Sequence, residues 1–160
     1  MLRGRVLHIT CARNLPSILA AGAVLGNADG RFPSSFGSSA NGFFRVCNAV
    51  SVFDYRSVSD EEFKDAWLKC GPHRAFTQYG YKIALLFLAP HSHDRLISWR
   101  RWHEQQAWEQ MLVPYVEAGF PAPLPIDVVE EIVEVRTRYR PGPLERALLA
   151  AQDRNASSEE

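Results

Sequence analysis

The alternation of apolar and polar positions divides the chain into short strands with a few helices between them. Arg5-Val-Leu-His-Ile-Thr10 reads as a strand. Asn14 to Ala21 follows as a short helix, with Asn14 at the N-cap, Pro16 in the first turn and Gly22 near its end. Positions 27–42 are rich in Gly, Ser, Asn and Asp and lack periodicity, so they form a long loop, which in a compact domain is usually either functional or disordered. Ala49-Val-Ser-Val-Phe-Asp-Tyr55 alternates as a strand, and Ser59 followed by Glu62 has the spacing of a capping box that opens a helix to about Lys69. Gly71 and Pro72 stop that helix. Tyr81 to Leu88 is apolar apart from Lys82, the pattern of a strand buried on both faces. Arg95–Trp99 and Trp108–Val113 are predicted as further short strands, the second ended by Pro114. Three prolines within 120–125 predict a loop there. Ile126 to Val135 alternates again, with an irregularity near Glu130. Leu144 to Gln152 reads as a short helix before a frayed end.

These elements sum to an α+β fold on a chain of 160 residues, a length suited to one core. Positions 1–140 form the catalytic unit in this reading, and 141–160 a short C-terminal helix with a disordered tail. Eighteen basic residues balance eighteen acidic ones, which argues against sequence-independent coating of nucleic acid but leaves room for a local basic groove. Arginine far outnumbers lysine, and arginine suits bidentate phosphate contacts. Cys11, Cys47 and Cys70 are odd in number and widely spaced, so neither a zinc ribbon nor a disulfide scaffold is supported. No signal-peptide pattern and no run long enough for a membrane span are present, and a cytoplasmic location is the default expectation. His91-Ser-His93-Asp94 lacks a second ligand cluster and reads as a turn, so no metal is expected.

Several segments, taken in order, resemble the DarT-type ADP-ribosyltransferase toxins. They are His8-Ile-Thr10, Asn14-Leu-Pro-Ser-Ile-Leu19 with Gly22, the strand from Ala49 to Tyr55, Leu96-Ile-Ser-Trp99, and Glu109-Gln-Met-Leu-Val-Pro114, where an acid opens a strand that closes on proline. A last strand from Val129 to Val135 completes the set, which spans about positions 5 to 136. The resemblance implies an ADP-ribosyltransferase-like split β-sheet with NAD as a substrate and no metal. It implies His8 and Thr10 at the cofactor and an aromatic on the nicotinamide, Tyr55 in preference to Phe53 because it is closer to the strand end; Ser51 lies on the same strand face and adds a further cofactor contact. It implies Glu109 as the catalytic acid, and Arg45 as a second catalytic group for which Arg31 competes. Glu117 has no role in this reading and serves as the comparison carboxylate.

The chemistry fits the residue types. Breaking the nicotinamide–ribose bond develops oxocarbenium character, which one carboxylate on a rigid strand stabilises. The aromatic and basic segment before Glu109 offers Trp102, His103 and Gln106 as acceptor contacts, since aromatic faces with arginines are the ingredients for stacking single-stranded bases. The function implied is therefore a toxin of a toxin–antitoxin or anti-phage system that modifies a DNA or RNA base, with an antitoxin protein as a further partner. The alternatives are transfer to a protein, action on an RNA phosphate, and a non-catalytic binding module of the same fold.

Overall fold

In the computed structural model the chain is described over residues 2–33, 40–70 and 82–136. The run from Val6 to Cys11 forms strand β1 and leads through a single 3₁₀ turn into helix α1, Leu15–Ala21. Asn14 holds the N-cap position, but its side chain turns back to donate to Thr10 Oγ1 at 3.1 Å instead of capping the helix. Gly22 ends α1 with φ 67, the left-handed geometry for which glycine has no steric penalty. Strands β2 (Ala23–Val24), β3 (Ala49–Asp54), β4 (Lys82–Leu88), β5 (Ile97–Ser98), β6 (Glu117–Pro121), β7 (Leu124–Pro125) and β8 (Val129–Arg136) follow. Among them lie helices α2 (Phe43–Val46), α3 (Asp60–Cys70) and α4 (Arg100–Glu104).

Six strands make one sheet in the order β5-β6-β3-β1-β4-β8, antiparallel throughout, and β2 pairs with β7 in a small second sheet. The α+β class expected from the pattern is the one observed. The capping box is formed as its spacing predicts: Glu62 N–H donates to Ser59 Oγ at 3.2 Å, and Ser59 N–H donates to Glu62 at 2.9 Å. Along β4, every position from Ile83 to Leu88 is buried. The irregularity near Glu130 is a register shift between β4 and β8, where Phe87 faces Glu131 and Leu88 faces Val129.

Apolar side chains cover both faces of the sheet. Val6, Val52, Leu86 and Phe120 point into one core layer, against α1 and the small sheet. Leu7, Leu85, Phe87 and Val116 point into the other, against α3. A third cluster joins Phe43 and Phe44 of α2 to the half-buried Trp102 of α4.

Two expectations are corrected here. Positions 108–113 do not form a strand: Trp108 and Glu109 lie in an exposed turn, and Met111 makes only an isolated bridge to Gly42. The strand comes later, at Glu117–Pro121, and the segment 120–125 read as a loop contains the end of β6 and all of β7. Pro121 and Pro125 sit where a missing N–H costs little, at a strand's last residue and in a two-residue edge pair, and Pro123 lies between the two strands. The predicted C-terminal helix lies outside the described residues.

Candidate functional site

The central feature is a break in the sheet. Strands β1 and β3 pair only at Val6–Asp54 and Leu7–Phe53, whereas β1 continues its ladder with β4 from Leu7 to Cys11. His8 is the first residue past the last β1–β3 pair. Its Nδ1 lies 2.9 Å from the carbonyl oxygen of Ser51. A carbonyl only accepts, so Nδ1 carries the proton and the Nε2 lone pair is left for a donor. Burial pushes the His8 pKa below its ordinary value, the bond to Ser51 opposing this only in part, so the ring is neutral at pH 7.

Ser51 connects the histidine to a carboxylate. Its Oγ donates to Glu117 Oε1 at 2.6 Å, and Val113 N–H donates to Glu117 Oε2 at 2.7 Å. The register explains the contact: Ser51 faces Gly119 across β3 and β6, so Glu117 is its diagonal neighbour on the same face of the sheet. Burial raises the Glu117 pKa above the usual carboxylate range, and the two hydrogen bonds only partly offset it. A half-buried carboxylate with raised pKa, oriented by two donors and joined through one serine to a neutral histidine, is a common arrangement for acid–base and cation-stabilising work.

His8 also opens onto a cleft of about 680 Å³. Thr10, Asn14 and Ser17 add hydroxyl and amide groups along it, Ile18 and Val24 form an apolar wall, and Asn27 and Phe32 close it from the following loop. This volume lies within the range of about 300–1,000 Å³ typical of small-molecule and cofactor sites. Arg45, on α2, donates through Nε to the carbonyl of Asn27 at 2.7 Å and so ties that loop to the helix. Arg31 stays on the exposed part of the loop in an ion pair with Asp29. Positions 34–39 of the loop lie outside the described residues.

The structure places His8 and Thr10 on the cleft and ties His8 to the backbone carbonyl of Ser51, whose side chain turns to Glu117; the other residues of the expected site lie elsewhere. Glu109 is exposed, and its carbonyl accepts a hydrogen bond from the Asn41 side chain. The carboxylate tied to Ser51 is Glu117 instead. Tyr55 shares the sheet face of Ser51, yet it is buried in the core behind α3, edge-on to Phe63 with ring centroids 5.1 Å apart, and its pKa is pushed up to about 12 by burial. A ring packed on both sides has no face left for nicotinamide. Trp102 is likewise structural, its indole N–H bonded to the Gln110 carbonyl at 3.0 Å and its ring against Trp108, while His103 and Gln106 are exposed beside it. Among the described residues no group of three or more His, Cys, Asp or Glu side chains is placed to hold a metal ion, and no helix is long and apolar enough to cross a membrane.

Glu117 was within reach of sequence reasoning. An acid opening a short strand that closes on proline describes Glu117-Ala-Gly-Phe-Pro121 as well as Glu109–Pro114. Comparison with protein-family models, curated proteins and solved structures finds no match for this chain.

The histidine's two nitrogens can be tested separately. Asparagine at position 8 places an N–H donor close to where Nδ1 sits and removes the Nε2 acceptor. His8→Asn is therefore expected to keep the fold, with a melting temperature near that of the native protein. It is expected to weaken binding of a ligand that donates to Nε2 from the cleft about tenfold, the effect of one lost hydrogen bond of roughly 1.4 kcal/mol, measured by titration calorimetry.

Proposed function

We propose that the chain is an NAD-dependent ADP-ribosyltransferase that modifies a nucleic-acid base, acting as the toxin of a toxin–antitoxin or anti-phage system. The observation that carries this reading is the chain of contacts from the cleft to the carboxylate: His8 Nδ1 to the Ser51 carbonyl, and Ser51 Oγ to Glu117. It links the histidine on a cleft of cofactor size, the residue that the resemblance places at NAD, to a half-buried acid.

In this reading the cleft holds the dinucleotide. His8 Nε2 accepts from a ribose hydroxyl, and Thr10, Asn14 and Ser17 supply polar contacts along the cleft. Arg45 acts by holding the Asn27 loop over the cleft, a positioning role in place of the catalytic one first assigned to it. Glu117 takes the part first given to Glu109. As the bond between nicotinamide and the anomeric carbon breaks, the ribose gains positive charge, and a carboxylate fixed by Ser51 and Val113 stabilises it with no reorganisation. The same carboxylate then accepts the proton of the incoming nucleophile.

Incubation with NAD labelled on the adenosine side, together with separate RNA, DNA and protein pools, tests the reading. Nicotinamide release with label transferred to RNA or DNA is the expected result. Intact NAD after prolonged incubation contradicts it.

A further inference from the structure

Asn14 departs from what its position predicts. It occupies the N-cap of α1, where asparagine is favoured because its side-chain oxygen accepts from a free backbone N–H of the first turn. Here it makes no such bond. Its amide turns four residues back instead, where Nδ2 donates to Thr10 Oγ1 at 3.1 Å. Local rules of this kind are broken mostly at functional sites. Both partners line the cleft, and Thr10 is only 6% exposed. The Thr10 oxygen takes the Asn14 proton on one lone pair, so its own proton points elsewhere. Among the described residues that proton meets no acceptor, and a buried donor left unmet is costly. His8 supplies the converse: its Nδ1 donates to the Ser51 carbonyl, so Nε2 presents a lone pair. His8 and Thr10 stand two residues apart on β1 and share one face of the sheet. An acceptor and a donor thus lie side by side on the cleft.

We propose that Asn14 is a positioning residue: it fixes the Thr10 hydroxyl as a donor to the cleft, so that Thr10 and His8 together take a hydroxyl with an oxygen acceptor beside it. Two neighbouring hydroxyls on a sugar ring have this chemistry, one donating to Nε2 while the other accepts from Thr10. The inference rests on the transferase reading, in which that sugar is a ribose of NAD, and adds the residue that sets the direction of one bond. Without the Asn14 amide the Thr10 hydroxyl turns freely between donating and accepting, and the ligand must order it on binding. A carboxylate at position 14 reverses the direction outright. It only accepts, so Thr10 donates to it and turns a lone pair to the cleft.

A double-mutant cycle tests it, in chains that also carry Glu117→Gln so that NAD is not consumed. NAD affinity is read by titration calorimetry, and thermal melting checks the fold. Asn14→Leu and Thr10→Val each keep the shape of the side chain and remove one partner of the bond. Thr10→Val is expected to weaken NAD binding about fivefold, the effect of one lost neutral hydrogen bond. Asn14→Leu is expected to weaken it about threefold, the cost of ordering one freed group. Because Asn14 acts through Thr10, the double variant binds no more weakly than Thr10→Val alone. Asn14→Asp keeps a residue favoured at an N-cap but cannot donate to Thr10, and it is expected to bind NAD no better than Asn14→Leu. Native affinity in Asn14→Leu or in Asn14→Asp overturns the proposal. So does a double variant whose loss is the product of the two single losses, which is what a residue supporting only the fold gives. Each of those results leaves the transferase reading standing. Absence of saturable NAD binding by the Glu117→Gln chain overturns that reading, and the role of Asn14 with it.

Discussion

Glu117→Gln is expected to lower nicotinamide release by about 10²- to 10⁴-fold, the range that a positioned acid or base contributes, without loss of stability. Glutamine has the shape of glutamate and can still accept the Val113 N–H and donate to Ser51 Oγ, so the contacts around position 117 survive. What disappears, on the proposed transferase reading, is the charge that would stabilise the ribose cation and the site that would receive a proton. Glu109→Gln, by contrast, changes an exposed turn residue and is expected to leave the rate unchanged. Parallel assays of the two variants separate the carboxylates.

The same substitution has a pH signature. The Glu117 pKa is raised by burial, so its protonated form is favoured in the fold. Its contribution to stability is present below the ordinary carboxylate value of about 4.3 and is lost as pH rises through the folded value. A neutral amide avoids the cost that burial places on the charged form, so Glu117→Gln is expected to melt at the same temperature as the native protein or higher. His8 works in the opposite sense. Its pKa is lowered, so its contribution is present above the ordinary value of about 6.5 and is lost as pH falls below it. In the native protein the two effects oppose each other between those values. In Glu117→Gln only the histidine remains, so melting temperature is expected to fall more steeply on acidification below about pH 6.5 than it does in the native protein.

Gly119→Ala has the largest expected effect on stability. A Cβ at this position meets Phe44 Cδ1 at 2.3 Å and a second ring carbon at 2.9 Å, well inside van der Waals contact. Phe44 cannot simply swing away, because its ring is buried edge-on to Phe43 with centroids 5.1 Å apart. Overpacking of this kind costs about 1–3 kcal/mol, and for a domain of this size that lowers the melting temperature by several degrees. The consequence reaches the site, since α2 carries both Phe44 and Arg45 and Gly119 faces Ser51. NAD affinity is expected to fall along with stability. Adding Phe44→Leu makes room for the new methyl and is expected to recover part of the loss. Additivity of the two single effects contradicts the contact as the cause.

Local sequence signals located β1, β3 and β4 because each carries its own pattern, alternating in β3 and apolar after Lys82 in β4. The start and stop of α1 were legible for a similar reason: Pro16 and Gly22 have positional meaning that needs no tertiary partner. The strand that carries Glu117 matches the acid-to-proline pattern, but its composition gives it a weaker strand signal than Glu109–Pro114 has. Glu-Ala-Gly-Phe-Pro has little intrinsic strand preference, and it is held in the sheet by β3 on one side and β5 on the other. Its glycine, which weakens the pattern, is the residue that lets Phe44 approach. Gln-Met-Leu-Val reads as a strand by propensity, yet among the described residues no ladder partner stands beside it beyond the single bridge at Met111. Tyr55 shows a related limit. Period-two alternation placed it correctly on the face of Ser51, but only the packing of α3 decides that one residue reaches the site and the other fills the core. His8 owes its prominence to resemblance, and the split between β1 and β3 supplies the physical reason for a histidine there.

Binding of NAD by Glu117→Gln tests the central claim most directly, because turnover no longer consumes the ligand. Titration calorimetry is expected to show saturable binding with one site per chain, weakened when His8→Asn is added. An absence of saturable binding, or binding indifferent to His8, contradicts a dinucleotide in the cleft between β1 and α1.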